Sequence, residues 1–123
     1  SFELVAAIAE RNIAKAFKIV HYFSKNPKDH PVQMTTGILF NFVNNLLQYH
    51  SMNGKPEKSI ASALKIHPYF LKQFAQASRH YNGAHALVML EELLIFDRKC
   101  KGVIPSSANE YEHLREWLIK CVL

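Results

Sequence analysis

The chain has 123 residues and is 49% hydrophobic, which predicts one folded domain over residues 1–123 and excludes an intrinsically disordered protein. It has no run of the roughly 20 apolar residues that a membrane span needs, so we expect no membrane partner. The formal net charge of +5 is compatible with nucleic acid or an acidic protein partner, but it selects neither. Because the chain begins with Ser1 and stops at Leu123 inside an apolar stripe, we expect it to be a fragment of a longer protein.

The first half of the chain predicts three helices. The first is short and is broken by Arg11-Asn12. The second carries an apolar stripe at the helical period, opposite a face of lysines, and ends before Pro27. The third begins at Pro31, because proline fits the first turn of a helix, and it ends near Gly54, which can adopt the left-handed conformation. The flanks of Gly54 do not alternate in polarity, so we predict no β-hairpin there.

Residues 59–80 have the spacing of a helix-turn-helix unit, which DNA-binding proteins use to place a recognition helix in the major groove. A short fourth helix and a tight turn precede a fifth helix that begins at Pro68. Basic residues surround the unit, and Glu57 is the only acidic residue between Asp29 and Glu91. A DNA- or RNA-binding helical module is therefore one functional prediction.

Two features of this segment oppose nucleic-acid recognition. Its turn lacks the usual glycine, and Tyr69 and Phe70 occupy the positions that would meet the base edges. Phe70, Phe74, Ala77 and Tyr81 follow the helical period, so we expect them to form a buried aromatic stripe of the fifth helix.

The sixth helix, predicted over residues 84–101, has apolar residues around its whole circumference, which is typical of a helix wrapped by its neighbours. A seventh helix follows a capping box formed by Ser107 and Glu110. We therefore predict an all-α fold, a single compact helical bundle of about seven helices around the central helix 84–101. The predicted core residues are Phe70, Phe74, Leu87, Leu90, Leu94 and Trp117.

Two exposed faces are candidate interaction surfaces. On the third helix, amide side chains recur at i, i+3, i+4 and i+7, which places them on one face. That face is open to two interpretations, a solvated surface or a hydrogen-bonding contact. A basic face of the fifth helix is open to three, a solvated surface, a subunit contact or a phosphate contact. The candidate interface residues are Lys72, Gln76, Arg79, Asn41 and Asn44.

Motifs for catalysis are absent from the sequence. It contains no glycine-rich phosphate-binding loop and no His-Glu-x-x-His zinc motif. Glu110-x-x-His113 has the spacing of a di-iron ligand pair, but a di-iron bundle needs a second such pair and two more glutamates. Cys100 and Cys121 are expected to be buried thiols on helices rather than a disulfide. We therefore expect a non-catalytic domain with no catalytic residue, cofactor or metal.

Short motifs follow one another in a fixed order along nearly the whole chain. They are Phe2-Glu3-Leu4-Val5 with Ala7-Ile8, Ala14-x-Ala16 with Ile19, Leu46-Leu47-Gln48, Ile60-Ala61 through Leu64, His67-Pro68-Tyr69-Phe70 with Lys72, Ala77 and Arg79, and finally Leu87, Leu90, Leu94, Asp97, Lys101 and Gly102. In this order and spacing they resemble the C-terminal domain of the delta subunit of the bacterial DNA polymerase III clamp loader.

The resemblance implies a non-catalytic collar domain, one of the helical domains that join the clamp-loader subunits in a ring and hold the ATPase modules together. The implied partners are the other clamp-loader subunits, of the gamma/tau and delta-prime types. The sliding clamp and primed DNA would be reached through the parent complex. That parent would belong to the DNA polymerase III holoenzyme, a DNA-directed DNA polymerase complex, and would lie in the bacterial cytoplasm at the replisome.

The resemblance changes the interpretation of two regions. The family often carries basic residues where this chain has Asn41 and Asn44, which puts a role for charge on that face in doubt. The helix-turn-helix spacing becomes a packing feature of the collar. A collar requires Tyr69 and Phe70 to be buried or to lie at a protein contact. Nucleic-acid recognition requires an exposed fifth helix with polar groups at its start.

Overall fold

Helices account for every regular element in the computed structural model, which describes residues 2–102 and 109–123. The elements are α1 (Phe2–Glu10), α2 (Ile13–Lys25), α3 (Val32–Ser51), α4 (Glu57–Leu64), a 3-10 turn (Pro68–Phe70), α5 (Leu71–His80), α6 (Gly83–Cys100) and α7 (Glu110–Cys121). They pack against one another as a bundle. The all-α prediction with about seven helices is confirmed. No helix among these is long and apolar enough to cross a membrane.

Asparagine side chains begin three of the helices. Asn12, Asn82 and Asn109 precede α2, α6 and α7, and each side-chain oxygen accepts a hydrogen bond from the backbone N–H three residues later. These bonds satisfy backbone donors that lack a partner in the first helical turn. The predicted capping box was wrong, because α7 begins at Glu110 with Asn109 as its cap. Ser107 itself lies outside the described residues.

Two helices end at a residue other than glycine in the left-handed conformation. Arg11 after α1 has φ = 54° and Lys65 after α4 has φ = 57°. At Lys65, the backbone N–H groups of Lys65 and Ile66 donate to the carbonyls of Ser62 at 3.2 Å and Ala61 at 3.1 Å, which closes the helix in a Schellman motif. The tight turn before the 3-10 element is therefore made without glycine, so the lack of one does not count against that turn.

The centre of the bundle is formed by α1 and α3, and the prediction that α6 is central was wrong. α1 packs against α2, α3 and α5, whereas α6 packs chiefly against α3 and α7. α6 buries only one stripe, which includes Met89 and Leu93, while Leu87 is 49% and Leu94 42% exposed. Leu90 is partly buried against the core. With neighbours on one side only, an outer helix leaves half of its circumference in solvent, whatever residues stand there.

The remaining core predictions divide between α5 and α7. Phe74 and Trp117 are buried, as expected, and the Trp117 indole N–H donates to the Met89 carbonyl at 3.1 Å. Phe70 is 52% exposed, so its assignment to the core was wrong. It lies in the 3-10 turn before α5 begins, and the helical period that aligns it with Phe74 does not extend to it. Tyr69 is also exposed.

Candidate interaction surfaces

The basic face of α5 lies where the sequence predicts it. Lys72, Gln76 and Arg79 are all exposed, and they lie on the side of the helix opposite the buried Phe74 and Ala77. α4 packs chiefly against α3 and the 3-10 turn, so it leaves this face uncovered. The three side chains are therefore available to a partner outside the bundle.

The amide face of α3 is exposed as well. Asn41 and Asn44 are exposed, Asn45 is half-buried, and the Gln48 side chain donates a long hydrogen bond of 3.4 Å to the Ala63 carbonyl at the end of α4.

An open groove lies between α1, α3 and α5 and encloses about 490 Å³. At its base the rings of Phe42 and Phe74 stack with their centroids 5.6 Å apart. At its rim stand Phe2 and Phe70, which are 82% and 52% exposed. We call this feature the α1–α3–α5 groove. The exposure of Phe70, which contradicts the core prediction, is thereby explained, because its ring forms one edge of the groove.

The walls of the α1–α3–α5 groove combine apolar and amide side chains. Asn41 lines it, and so do Asn45 and Gln73, whereas Asn44 and Gln76 do not. The apolar wall residues besides the four phenylalanines are Val5, Ile38 and Ile66. Sequence reasoning missed this groove, because its walls come from three helices and no spacing along one helix reveals them.

A second apolar surface covers the side of α6 that faces solvent. Leu87, Val88 and Leu94 are exposed there together with Glu91 and Arg98. Four of these positions recur at i, i+4, i+7 and i+11, so they follow one helical face. We call it the outer face of α6. It is the direct consequence of the one-sided packing of this helix.

The two apolar surfaces lie on opposite sides of α3. Ile38 and Asn41 line the α1–α3–α5 groove, whereas Thr36 and Phe40 border a depression shared with Cys100 of α6. Neighbouring residues of a helix are about 100° apart around its axis, so Ile38 and Phe40 project about 200° apart. The outer face of α6 lies beyond α6 on that second side. The domain therefore presents two independent apolar surfaces that point away from each other.

The three helices that build the groove carry equal numbers of acidic and basic side chains, with Glu3 and Glu10 on α1 and Lys72 and Arg79 on α5. α3 contains no Asp, Glu, Lys or Arg, and α5 contains Lys72 and Arg79 but no acidic residue. Glu57 remains the single acid between Asp29 and Glu91.

The polar groups that could do chemistry are dispersed. Within residues 2–102 and 109–123, no group of three or more His, Cys, Asp or Glu side chains could hold a metal ion. Cys100 and Cys121 are free thiols, half-buried and buried. Burial raises the pKa of Cys100 to about 11 and that of Cys121 to about 12, so both thiols stay protonated at neutral pH.

Comparison with known proteins places the chain in a family. The family model described as DNA polymerase III delta subunit, C-terminal domain, matches residues 1–115, which reach from α1 into the middle of α7. No curated protein and no solved structure matches the chain. The match includes both walls of the α1–α3–α5 groove and the whole of α6. The chain belongs to the family of C-terminal domains of the DNA polymerase III delta subunit.

Proposed function

We propose that this chain is the non-catalytic oligomerisation domain of a clamp-loader delta subunit, which joins its neighbours in the subunit ring that loads the sliding clamp during DNA replication. The observation that carries the proposal is the pair of apolar surfaces on opposite sides of α3. A member of a ring contacts one neighbour on each side through two different patches, and such heterologous contacts close into rings.

The partners under this proposal are the gamma/tau-type and delta-prime-type subunits of the same clamp loader. The sliding clamp and primed DNA belong to the function of the whole complex, and the site of action is the cytoplasm of a bacterium. The family supports the clamp-loader role. The absence of phosphate-binding and acid–base motifs from the sequence supports a domain that contributes binding rather than turnover.

The outer face of α6 provides the direct test. The clamp loader is reconstituted from the complete delta-type protein that carries this chain and the other purified subunits of the same organism. In the double variant Leu87→Asp/Leu94→Asp, two carboxylates would have to be desolvated at a subunit contact, so we expect its affinity for the complex to fall at least about tenfold. Both leucines are half-exposed, so the fold should survive the change.

The matched control for this test is Ile119→Asp, which alters an exposed apolar residue of α7 outside both surfaces. We expect this variant to assemble like the wild type. If the α6 double variant, with its substitutions verified, joins the complex with the same affinity as the wild type, the proposed function of this face is contradicted. An equal loss in the control would show that any added acid disturbs the complex.

The second candidate function is DNA or RNA binding by residues 59–80, and the uncovered basic face of α5 favours it. The double variant Lys72→Ala/Arg79→Ala separates the two functions. Two lost phosphate contacts would lower the salt slope of DNA binding by about 2, whereas a lost subunit contact would speed dissociation of the complex. We expect the variant to keep its fold and to lose more in assembly than in DNA binding. A slope lowered by about 2 with unchanged assembly would favour nucleic acid.

A further inference from the structure

An open cleft lies between α2 and the first turns of α7 and encloses about 490 Å³. We call it the α2–α7 cleft. Its α2 wall carries Lys18, His21 and Lys25, which recur at i, i+3 and i+7 and therefore share one face of that helix. Arg115 stands on the α7 wall, where its guanidinium lies 6.0 Å from the centroid of the Phe17 ring. This cation–π contact holds the guanidinium at the cleft.

Positive charge predominates in the lining of the α2–α7 cleft itself. Three lining residues are Lys or Arg, and Glu112 is the one acid among the described residues that line it. The other acids of α7, Glu110 and Glu116, do not line the cleft. Residues 103–108 contain no Asp, Glu, Lys or Arg, so they do not alter this balance. Three cations against one carboxylate leave an excess of two positive charges before any contribution from histidine.

Among the described residues, the three cations of the cleft have no ion-pair partner. The ion pairs within residues 2–102 and 109–123 are those of Lys99, Lys101 and Lys120. Lys18, Lys25 and Arg115 are all exposed and take part in none of these pairs. Glu112 is directed to the start of its own helix, where its carboxylate accepts a long hydrogen bond of 3.5 Å from the Asn109 amide. Uncompensated cations that line one depression attract an anion.

The lining favours the phosphates of a nucleic acid over a segment of a protein. Protein partners are held mainly by apolar and aromatic side chains that become buried at the contact. The large apolar side chains that are exposed in the described part of the chain, such as Phe2 and Leu87, all lie outside this cleft. Lys, Arg and Asn side chains are instead the groups that contact phosphate oxygens in complexes with nucleic acids.

The two lysines of the cleft are arranged along a line. Lys18 and Lys25 lie two turns apart, about 10.5 Å along the axis of α2. In B-form DNA this distance corresponds to about three nucleotides of one strand. A strand that runs along α2 therefore brings different phosphates to the two lysines, with Arg115 on the other wall. A row of cations matches a chain of phosphates better than a single free anion.

We infer that the α2–α7 cleft binds the phosphate backbone of DNA, with Lys18 and Lys25 on separate phosphates of one strand and Arg115 on the opposite wall. The inference goes beyond the proposed function, because assembly of the ring requires no DNA contact by this domain. It also differs from the second candidate function, which places nucleic acid at residues 59–80. Contacts to phosphates position a protein without reading bases, so binding should not depend on base sequence.

The salt dependence of DNA binding tests this inference. The complete delta-type protein that carries this chain is titrated with a fluorescently labelled DNA duplex at several salt concentrations, and anisotropy gives Kd. We expect Lys18→Ala/Lys25→Ala to lower the slope of log affinity against log salt by about 2, one phosphate contact for each lysine. Circular dichroism verifies the fold of the variant, in which both substituted positions are exposed.

The matched control for charge is Lys55→Ala/Lys58→Ala, which also removes two exposed lysines. These residues belong to α4 and the turn before it, and α4 packs chiefly against α3 and the 3-10 turn rather than against α2 or α7. We expect this variant to keep the slope of the wild type. An equal decrease in both double variants would mean that net charge alone governs binding, and a decrease in the control alone would assign DNA to residues 59–80. Either result would overturn the inference.

Removal of the one acid of the cleft should have the opposite effect. Glu112→Gln keeps an oxygen for the Asn109 amide but removes the negative charge. We expect it to tighten DNA binding about two- to fivefold at low salt, and the gain should shrink as salt is added. Glu57→Gln, which removes an exposed acid of α4, should change Kd less. Equal effects of the two substitutions would contradict a site at the cleft.

The remaining outcomes distinguish other ligands. Unchanged DNA binding in Lys18→Ala/Lys25→Ala would overturn the inference, as would a wild-type protein that binds no DNA at low salt. Weaker binding of the other clamp-loader subunits by this variant, with DNA binding unchanged, would assign the cleft to an acidic protein surface. Inorganic phosphate that displaces DNA better than chloride does at equal ionic strength would indicate a site for a single anion. None of these results affects the test at α6, so the proposed function stands or falls separately.

Discussion

Alkaline pH should destabilise the domain in part through one buried hydroxyl, that of Tyr81. This side chain is 0% exposed, and its O–H donates to the Ile8 carbonyl of α1 at 2.7 Å. Burial raises the pKa of Tyr81 from 10.0 to about 12, partly offset by the nearby Arg11 charge. Because the pKa of the folded state lies above that of the unfolded state, the stabilising contribution is complete below pH 10 and is lost as the pH rises toward about 12.

The magnitude follows from the two pH units between these pKa values. A shift of this size is worth about 2.7 kcal/mol of unfolding free energy, of which about 1.4 kcal/mol would be lost by about pH 11. Tyr81→Phe removes the hydroxyl but does not leave its acceptor orphaned, because the Arg11 backbone N–H also donates to the Ile8 carbonyl at 2.9 Å. Its cost at neutral pH is therefore about that of one hydrogen bond, roughly 1 kcal/mol.

These two quantities predict that the stability curves of wild type and Tyr81→Phe cross. The wild type should be more stable by about 1 kcal/mol at neutral pH, and the two proteins should be equally stable near about pH 11. Urea unfolding followed by circular dichroism at several pH values measures the difference in stability between the two proteins. In that difference the titration of groups that do not interact with Tyr81 cancels. Tyr22→Phe, at an exposed hydroxyl, controls for the substitution itself. A difference between wild type and Tyr81→Phe that stays constant up to this pH would refute the reasoning.

Three further predictions follow from burial and backbone geometry. Leu93→Ala should cost about 2–5 kcal/mol of unfolding free energy and Leu94→Ala less than about 1 kcal/mol, since only Leu93 is buried; equal costs in a urea titration would contradict the placement of α6. Lys65→Gly should stabilise the domain by up to about 1 kcal/mol, because φ = 57° strains any residue with a β-carbon, and a lower melting temperature would show otherwise. A thiol reagent should label native Cys121 more slowly than Cys100 near neutral pH, and equal rapid labelling would contradict its burial.

Two helix boundaries were predictable from the sequence because they depend on nearby residues. The break at Arg11-Asn12 and the stop before Pro27 follow from the geometry of one or two residues, and both appear in the structure. The buried stripe of α5 was predictable for the same reason, since Phe74 and Ala77 lie within one regular helix. The prediction that Phe70 is buried was wrong because a 3-10 turn interrupts the helical period just before Leu71.

The arrangement of the helices was not predictable from periodicity. Apolar residues around α6 indicated a central helix, but the number of neighbours that a helix has is decided by contacts between distant segments. The α1–α3–α5 groove was missed for a related reason, because Phe2, Ile38 and Phe70 meet only after three helices have packed. Family membership could be inferred earlier, since it depends on the order of motifs along the chain.

The failed prediction for α6 and the proposed function have one physical origin. Periodicity records every apolar contact that a helix makes, whether with its own chain or with a partner. The sequence pattern predicts that Leu87 and Leu94 are core residues, yet within the domain they are half-exposed. If the outer face of α6 is a subunit contact, both leucines are buried in the assembled ring, and burying such a side chain stabilises by about 1.5–3 kcal/mol. The same argument applies to Phe70 at the groove. The residues that the sequence predicts to be buried, but that are exposed in the isolated domain, are then the residues that the ring would cover.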